Sequence, residues 1–526
     1  MYADGSTSLS RNCVFSPINC YRGLVRGISA QRWTRRTERQ HGGCRPLVQH
    51  DKLIPMISCL PTIAKAVQQI RAGELAAAEL VEFCLERIDR YEPSLAAWER
   101  VDRDGARREA ARLDQQAQQG QLAGLLHGIP IGIKDIIDVA GWPTKAGSPT
   151  RADHVASADA RLVRQLRQAG AIILGKTVTT EFACFDPART RNPWNTDRTP
   201  GGSSSGSAAA VAAQMCMAAM GTQTGGSIIR PASYCGVCGV KPTLGQVSLD
   251  GVIPVSGYLD HAGPIARNVH DTARVFFSLV TPESLEVMWD CREGESFPIK
   301  EADGPLDFTA GSLDWLLFEH PESVRWRVDL QPLAGYFEDA ASIGVRNCFR
   351  AAIDRIGKSQ RIATPLPLPG SFEKLHDRHR RIMAVDAAAY HRIIFAQRPD
   401  DFGPNITSLI NTGLTERAVD YAEDVDCRLR FRDEMSELLG NNALAVTPST
   451  TMAAPSLETT GDPAFNSPWS FAGLPAITIP CGVDDDGMPC GLQIVGPPNS
   501  ELRLLRAAWL CEQALTFPRT PPLPDA

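Results

Sequence analysis

The sequence has no uninterrupted apolar run long enough to cross a bilayer. Its net charge of −6 lacks the basic excess typical of proteins that bind nucleic acids. Its fifteen cysteines lack the regular spacing of a disulfide framework. We therefore expect a soluble cytoplasmic protein with reduced cysteines, which neither enters a membrane nor binds nucleic acid.

One pair of cysteines, Cys235 and Cys238, has CxxC spacing. The sequence offers neither a second such pair nor a nearby histidine pair to complete a zinc site. We interpret both residues as structural, and we expect no metal.

The 526 residues, 43% of them hydrophobic, supply ample material for a core. Two helices are predicted after Pro61, with Thr62 as N-cap and Gly73 as the break between them, and a third over residues 102–119. Short apolar runs predict strands in GIPIGIKDIID, AIILG, ALAVTPS, AITIPCG and GLQIVGP. The pattern predicts an α/β fold, with a mixed, mostly parallel sheet covered by helices on both faces.

Two regions depart from this pattern. Residues 1–56 form a basic extension, with a net charge of +6 over residues 1–55. The extension fits a targeting segment, a disordered tail or a misread start before Met56, and we favour the last two. Within the main domain at 57–520, long polar helices over about 290–440 predict a helical excursion that shapes the substrate site.

Two motif matches fail on their context. GAIILGKT, residues 170–177, fits the phosphate-loop pattern, but its apolar AIIL is itself the predicted strand. GSSSG, residues 202–206, fits the nucleophile-elbow pattern around Ser204. An elbow needs a buried strand running into it, whereas the preceding ARTRNPWNTDRTPGG is polar. Neither nucleotide binding nor an α/β-hydrolase fold is predicted.

The stretch GGSSSGSAAAVAAQMCMAAMGTQTGGS, residues 201–227, holds two Gly/Ser clusters around an uncharged run. That run predicts a helix buried on all sides, which would hold the two loops in a fixed geometry, unlike a solvated linker. In the second loop, Gly225 and Gly226 allow several N–H groups to point at one place. Ser227 beside such amides suits attack on a carbonyl carbon.

A serine nucleophile needs a base, and neither loop contains one of the ten histidines. Lys134 is the candidate, because it is a lone cation in an apolar strand and burial favours the neutral amine. The alternative is that Lys134 pairs with Asp135 or extends its amine to water. A Ser–Lys variant of the catalytic triad makes the catalytic role chemically reasonable.

At these residues the sequence resembles the amidase signature family of Ser–Ser–Lys amidohydrolases. The resemblance extends from about residue 61 to residue 515 and includes HGIPIGIKDIIDVAGWPTKAGS, RNPWNTDRTPGGSSSGSAAAVAA, GTQTGGSIIRPASYCGVCGVKPT and GDPAFNSPWSFAGLPAITIPCG. It implies hydrolysis of a linear amide C–N bond through an acyl-enzyme, with Lys134 as base, Ser203 as proton bridge in a cis peptide and Ser227 as nucleophile. It also implies an oxyanion hole formed by backbone N–H groups of Thr224, Gly225, Gly226 and Ser227, and no cofactor.

Two departures bear on the sub-type. Many members read GTDTGGSIR, whereas this chain has Gln223 and places its arginine at Arg230. That form resembles free-standing bacterial amidases of the malonamidase type, and the likeness implies that Arg230 binds a substrate carboxylate; a structural ion-pairing role is equally open. Ser205 also replaces a common glycine, which requires ordinary backbone angles there.

The leading hypothesis is thus an amidohydrolase that acts alone on a small-molecule amide. The second is an amidotransferase A-type subunit, which makes ammonia from glutamine for tRNA transamidation and needs partner chains. The third is an inactive relative that serves as a binding module. The sequence identifies neither the substrate nor the oligomeric state, for which a homodimer is the working hypothesis, and it leaves Trp469, Phe471 and Tyr390 as either pocket or core residues.

Overall fold

The computed structural model describes residues 59–290, 329–440, 443–518 and 520–523. The predicted basic extension at 1–56 and residues 291–328 of the predicted excursion lie outside the described residues. The described helices are α1 Ile63–Ala72, α2 Ala77–Leu95, α3 Arg103–Gln118, α4 Arg161–Gln168, α5 Ser205–Ala212, α6 Ile229–Tyr234, α7 Val269–Phe277, α8 Pro282–Asp290, α9 Tyr336–Asp339, α10 Ile343–Ile356, α11 Leu375–Gln397, α12 Pro404–Thr415, α13 Ala418–Leu439, α14 Ser467–Ala472 and α15 Glu501–Ala514.

The described strands form a single sheet in the order β1-β3-β2-β4-β6-β5-β10-β11-β9-β7-β8. Their bounds are β1 Trp98–Val101, β2 Ile129–Lys134, β3 Ala171–Thr177, β4 Ala218–Gln223, β5 Cys238–Lys241, β6 His261–Ala266, β7 Asp329–Pro332, β8 Arg361–Ile362, β9 Ala443–Pro448, β10 Ala476–Val483 and β11 Pro489–Val495. Every residue of β2, β3 and β4 is buried. Because side chains alternate between the faces of a strand, both faces of the sheet are covered there.

The predicted α/β class and mixed sheet are confirmed, but the sheet is less parallel than predicted. Six strand pairs are antiparallel and four are parallel. One cause is local: β10 and β11 are joined by only residues 484–488. So short a connection permits only antiparallel pairing.

Local signals placed the N-terminal helices correctly. The side chain of Thr62 accepts a hydrogen bond from the N–H of Lys65 and caps α1. Gly73 ends α1 in the left-handed conformation, at φ 70°. The carboxylate of Asp102 caps α3 in the same way, by accepting from the N–H of Gly105. AIILGKT is strand β3, as the context of the phosphate-loop match predicted.

The single buried helix predicted between the Gly/Ser clusters is wrong. The helix α5 ends at Ala212, Gln214 adopts a φ of 58°, and the chain reverses into strand β4. A continuous helix would have carried the two loops apart by about 1.5 Å per residue. The reversal instead returns the second loop to the first: the N–H of Ser204 donates to the carbonyl oxygen of Ser227 over 3.3 Å. The predicted burial is confirmed, since all of α5 is buried.

Residues 329–440 contain the helices α9 to α13, but they also contain β7 and β8, which extend one end of the sheet. Those short strands lack the long apolar runs by which strands were predicted. The longest helix here, α11, lies against α12, α13 and α14. It supplies one wall of the cavity described below.

Candidate active site

Lys134 and Thr222 meet at the carboxyl ends of two neighbouring parallel strands. Strand β2 ends at Lys134, and β4 runs parallel to it and ends at Gln223. The carboxyl ends of parallel strands are where α/β sheets usually carry their functional groups. The Lys134 side chain is fully buried, so it cannot extend its amine to water.

The Lys134 amine has three oxygen atoms around it. Its Nζ lies 2.7 Å from Ser203 Oγ, 2.8 Å from Thr222 Oγ1 and 3.5 Å from the carbonyl oxygen of Thr222. Asp135, the pairing partner considered from the sequence, forms an ion pair with Lys176 instead. Burial without a direct carboxylate partner holds the pKa of Lys134 well below a lysine's ordinary value.

Ser203, Ser204 and Ser205 follow one another in the first Gly/Ser loop. The peptide bond between Gly202 and Ser203 is cis, as the resemblance implied. Ser204 Oγ lies 3.3 Å from both the N–H and the carbonyl oxygen of Thr222, which ties the first loop to β4. At Gly221 a Cβ atom would lie 2.8 Å from Ser204 Oγ, so only glycine allows β4 to pass this closely. Ser205 has ordinary angles as the first residue of α5, so its replacement of glycine is tolerated.

The loop from Thr224 to Ser227 is held from several sides. Thr224 Oγ1 donates to Asp260 over 2.6 Å, and Asp260 also accepts from the N–H groups of Val255 and Ser256. Burial raises the pKa of Asp260 to about 6. On the other side, His379 Nε2 lies 2.9 Å from the carbonyl oxygen of Thr224.

This loop borders a cavity of about 310 Å³. Residues 183–185, residues 462–464 with Ser467, and the first half of α11 form the other walls. The contributing side chains of α11 are His376, Asp377, His379, Arg380 and Met383. Four of them, at 376, 379, 380 and 383, have the spacing of one helical face, and Asp377 lies beside that face.

Arg230 is buried at the wall of this cavity. Its Nη2 donates to the carbonyl oxygen of Gly202 over 2.8 Å and lies 3.4 Å from Thr460 Oγ1. Its Nε and Nη1 have no hydrogen-bond partner among the described residues. The guanidinium is therefore anchored through one nitrogen and keeps two donor atoms unused.

Comparison with known proteins places the chain in a family. The family model described as Amidase matches residues 79–306 and 343–505, which is most of the chain. The chain belongs to the amidase family. Like other amidases, it is a hydrolase that acts on C–N bonds in amides, and the resemblance noted in the sequence is confirmed.

Individual relatives of this amidase include two kinds of protein. The chain is 33% identical over 481 residues to the A-type subunit of the glutamyl-tRNA(Gln) amidotransferase of Chloroflexus aggregans, covering 85% of this chain and 94% of the relative. It is 32% identical over 477 residues to the putative amidase AmiD of Mycobacterium bovis, covering 88% and 95%. Among solved structures, the peptide amidase of Stenotrophomonas maltophilia is similar, with a TM-score of 0.73, 28% identity and coverage of 90% and 99%.

Sequence patterns singled out some of the residues described above and missed others. Ser227 and Arg230 border the cavity, and Lys134 contacts Ser203, whose neighbour Ser204 is hydrogen-bonded to Ser227. The contacts of Thr222, Asp260 and His379 were not predicted, nor was the hydrogen bond from Ser470 Oγ to the carbonyl oxygen of Gly225. Only the histidine had a signal, the helical spacing of residues 376, 379, 380 and 383. Trp469 and Phe471 are buried core residues and Tyr390 is half exposed; none of the three borders the cavity.

In the described parts of the chain, no helix combines the length and apolar character that a bilayer crossing requires.

Proposed function

We propose that this amidase uses Ser227 as nucleophile, Ser203 as proton bridge and Lys134 as base. The surroundings of Lys134 Nζ carry the proposal. A neutral amine has two N–H donors and one lone pair. The carbonyl oxygen of Thr222 can only accept, and the Thr222 hydroxyl can accept the second N–H, an arrangement that leaves the lone pair for the Ser203 hydroxyl.

The proton that leaves the nucleophile travels to the base and returns to the leaving group. Ser227 Oγ bonds to the amide carbon and gives its proton to Ser203 as Ser203 gives its own to Lys134. The C–N bond then breaks and the leaving amine takes a proton back along the same path. Water, activated in the same way, releases the acid and restores the hydroxyl of Ser227.

The developing oxyanion is proposed to bind the backbone N–H groups of Thr224, Gly225, Gly226 and Ser227. The supporting observation is that all four residues border the cavity on one loop. Fixed donors of this kind typically lower a barrier by several kcal/mol, about 2.7–4 kcal/mol for one donor in a serine protease.

We propose that the substrate is an amide that also carries a carboxylate. The support is the pair of unused donors on buried Arg230, since a guanidinium fork fits a carboxylate. Asp377 and Asp462 also border the cavity, but both are exposed. Water and salt screen these exposed carboxylates more strongly than buried Arg230. The two interpretations of Arg230 combine, because Nη2 has a structural role and Nε and Nη1 remain to bind a ligand.

The test is amine or ammonia release by the purified chain alone. The panel contains an aryl anilide, a primary fatty amide, a urea-type compound and a carboxylate-bearing amide such as malonamate. We expect the purified chain to turn over at least one of these compounds. The Ser227→Ala variant should fold but show no turnover. Unchanged turnover in that variant refutes the role of Ser227, and a preference for neutral amides refutes the role of Arg230.

An amidotransferase A-type subunit remains the second candidate, because the relatives of that name are 33% identical. Gln223 argues against it, since many members have aspartate there. This candidate predicts that the chain alone releases no ammonia from glutamine and gains that activity with partner subunits. In either case, fluorophosphonate labelling at Ser227 excludes an inactive binding module.

Two further proposals concern the protein in the cell. A cytoplasmic location is supported by eleven free cysteines among the described residues. A homodimer stays the working hypothesis for the assembly. Cell fractionation tests the first proposal, and light scattering of the purified chain tests the second.

A further inference from the structure

In the loop from Thr224 to Ser227, the orientation of two peptide units is fixed by side chains from other parts of the chain. A peptide unit is planar, and its C=O and N–H groups point in opposite directions. Whatever holds the carbonyl of Thr224 therefore also aims the N–H of Gly225. In the same way, whatever holds the carbonyl of Gly225 aims the N–H of Gly226.

A histidine from α11 holds the first of these peptide units. His379 Nε2 lies 2.9 Å from the Thr224 carbonyl oxygen, which can only accept, so Nε2 carries the hydrogen. His379 is buried, and burial lowers its pKa to about 4. Near neutral pH the ring is an uncharged donor in one tautomer.

A serine from α14 holds the second peptide unit. Ser470 Oγ donates to the Gly225 carbonyl oxygen over 2.9 Å. Gln223 fixes that direction: its Oε1 accepts from the N–H groups of Ile228 and Ile229, so its Nε2 faces Ser470 and donates to it over 3.1 Å. With its acceptor side occupied, the Ser470 hydroxyl turns its hydrogen to Gly225.

We infer that His379 and Ser470 are positioning residues of the oxyanion hole. Neither residue belongs to the loop from Thr224 to Ser227. His379 fixes the peptide unit that carries the N–H of Gly225, and Ser470 fixes the one that carries the N–H of Gly226, so that both N–H groups face the reacting carbonyl. The inference rests on the proposed roles of Gly225 and Gly226. It assigns α11 two tasks, because the same helix lines the cavity through His376, Arg380 and Met383.

The first experiment compares His379→Leu with His379→Gln. A glutamine amide can place an N–H donor close to the position of Nε2, whereas leucine cannot donate. We expect His379→Leu to lower kcat roughly 10- to 100-fold, the usual cost of losing an outer partner that orients a catalytic group, with KM changed by less than about threefold. His379→Gln should recover most of the loss.

The matched control is His127→Leu. His127 is also buried, and its Nε2 lies 3.1 Å from a backbone carbonyl oxygen, that of Leu113. It takes no part in the site. This variant should lose stability yet keep the kcat of its folded fraction.

A second readout separates positioning from a general structural role. Affinity for a trifluoromethyl ketone, which forms an oxyanion on Ser227, should fall in parallel with kcat/KM in His379→Leu. Affinity for the intact amide, measured in a Ser227→Ala background, should fall much less on the additional His379→Leu substitution, although His379 also borders the cavity. Equal losses in both affinities would overturn the inference.

Ser470→Ala keeps the test decisive if His379→Leu does not fold. We expect the same pattern of lowered kcat and steady KM, with Ser278→Ala as the control, since Ser278 also donates to a backbone carbonyl, that of Val275. Full activity in folded Ser470→Ala and His379→Leu, or no recovery in His379→Gln, overturns the inference. The proposed function fails differently, through turnover that survives Ser227→Ala or a wild-type chain without amidase activity.

Discussion

Asp135 forms its buried ion pair with Lys176 and not with Lys134, its neighbour in the sequence; Lys176 Nζ lies 2.8 Å from Asp135 Oδ1. Lys176 is further held by Thr144 Oγ1 and the carbonyl oxygen of Pro143. Strand β2 ends at Lys134, and Asp135 lies in the turn that follows, which a hydrogen bond from the N–H of Ile137 to the carbonyl oxygen of Lys134 closes. The carboxylate is thereby engaged elsewhere, and the amine of Lys134 is left among hydroxyl and carbonyl oxygens.

This ion pair predicts a stability effect that a double-mutant cycle can measure. Both side chains are buried, so Asp135→Asn or Lys176→Met alone leaves an uncompensated charge. Each single variant should lose about 3–5 kcal/mol in the free energy of unfolding by urea. The double variant should recover much of that loss, and strictly additive losses would show that the two groups are not coupled.

Thr222→Val should lower kcat without unfolding the protein. The substitution keeps the shape of the side chain and removes the oxygen that lies 2.8 Å from Lys134 Nζ. One N–H of the neutral amine then loses its acceptor, and the lone pair is held less firmly towards Ser203. We expect a decrease of roughly tenfold or more in kcat. Thr272→Val is the control, because Thr272 is a buried threonine of α7 outside the cavity.

The pH profile should report the protonation of Lys134. Only the neutral amine accepts a proton, so kcat/KM should rise with pH through the lowered pKa of Lys134 and then level off. The nearby charge of Asp260 raises that pKa and opposes the effect of burial. Asp260→Asn removes the charge, so the acid limb should move to lower pH. A limb that moves upward would contradict this assignment.

Variants of Arg230 should show whether this residue binds a substrate carboxylate or only stabilises the structure. Arg230→Met removes both the unused donors and the bond to Gly202. Arg230→Lys keeps the charge but not the planar fork. Both should raise KM for a carboxylate-bearing amide, by roughly tenfold or more for methionine. A neutral amide of the same size should show little change in KM. Equal effects on the two substrates would indicate a purely structural arginine.

Elements with local signals could be predicted from the sequence, whereas those fixed by distant contacts could not. Thr62 and Gly73 mark the ends of α1 through their own backbone chemistry. Strand β4 has no such signal, because AAMGTQ becomes a strand only between β2 and β6. The same limit applies to the site. The motifs named Lys134, Ser203 and Ser227, but Asp260 and His379 reach the loop across 36 and 155 residues of chain.

The reversal between α5 and β4 has a consequence for how such enzymes diversify. The two loops that carry Ser203 and Ser227 both belong to residues 201–227. Pairing of β2 with β4, the strand within this segment, is enough to bring in Lys134. The chemistry can thus stay constant while the covering helices are exchanged to suit new substrates. His379 sets one condition on that freedom: a replacement for α11 must bring its own donor to the Thr224 carbonyl. A chimera in which a replacement for α11 forms the substrate pocket but lacks this donor should bind its new amide and turn it over slowly.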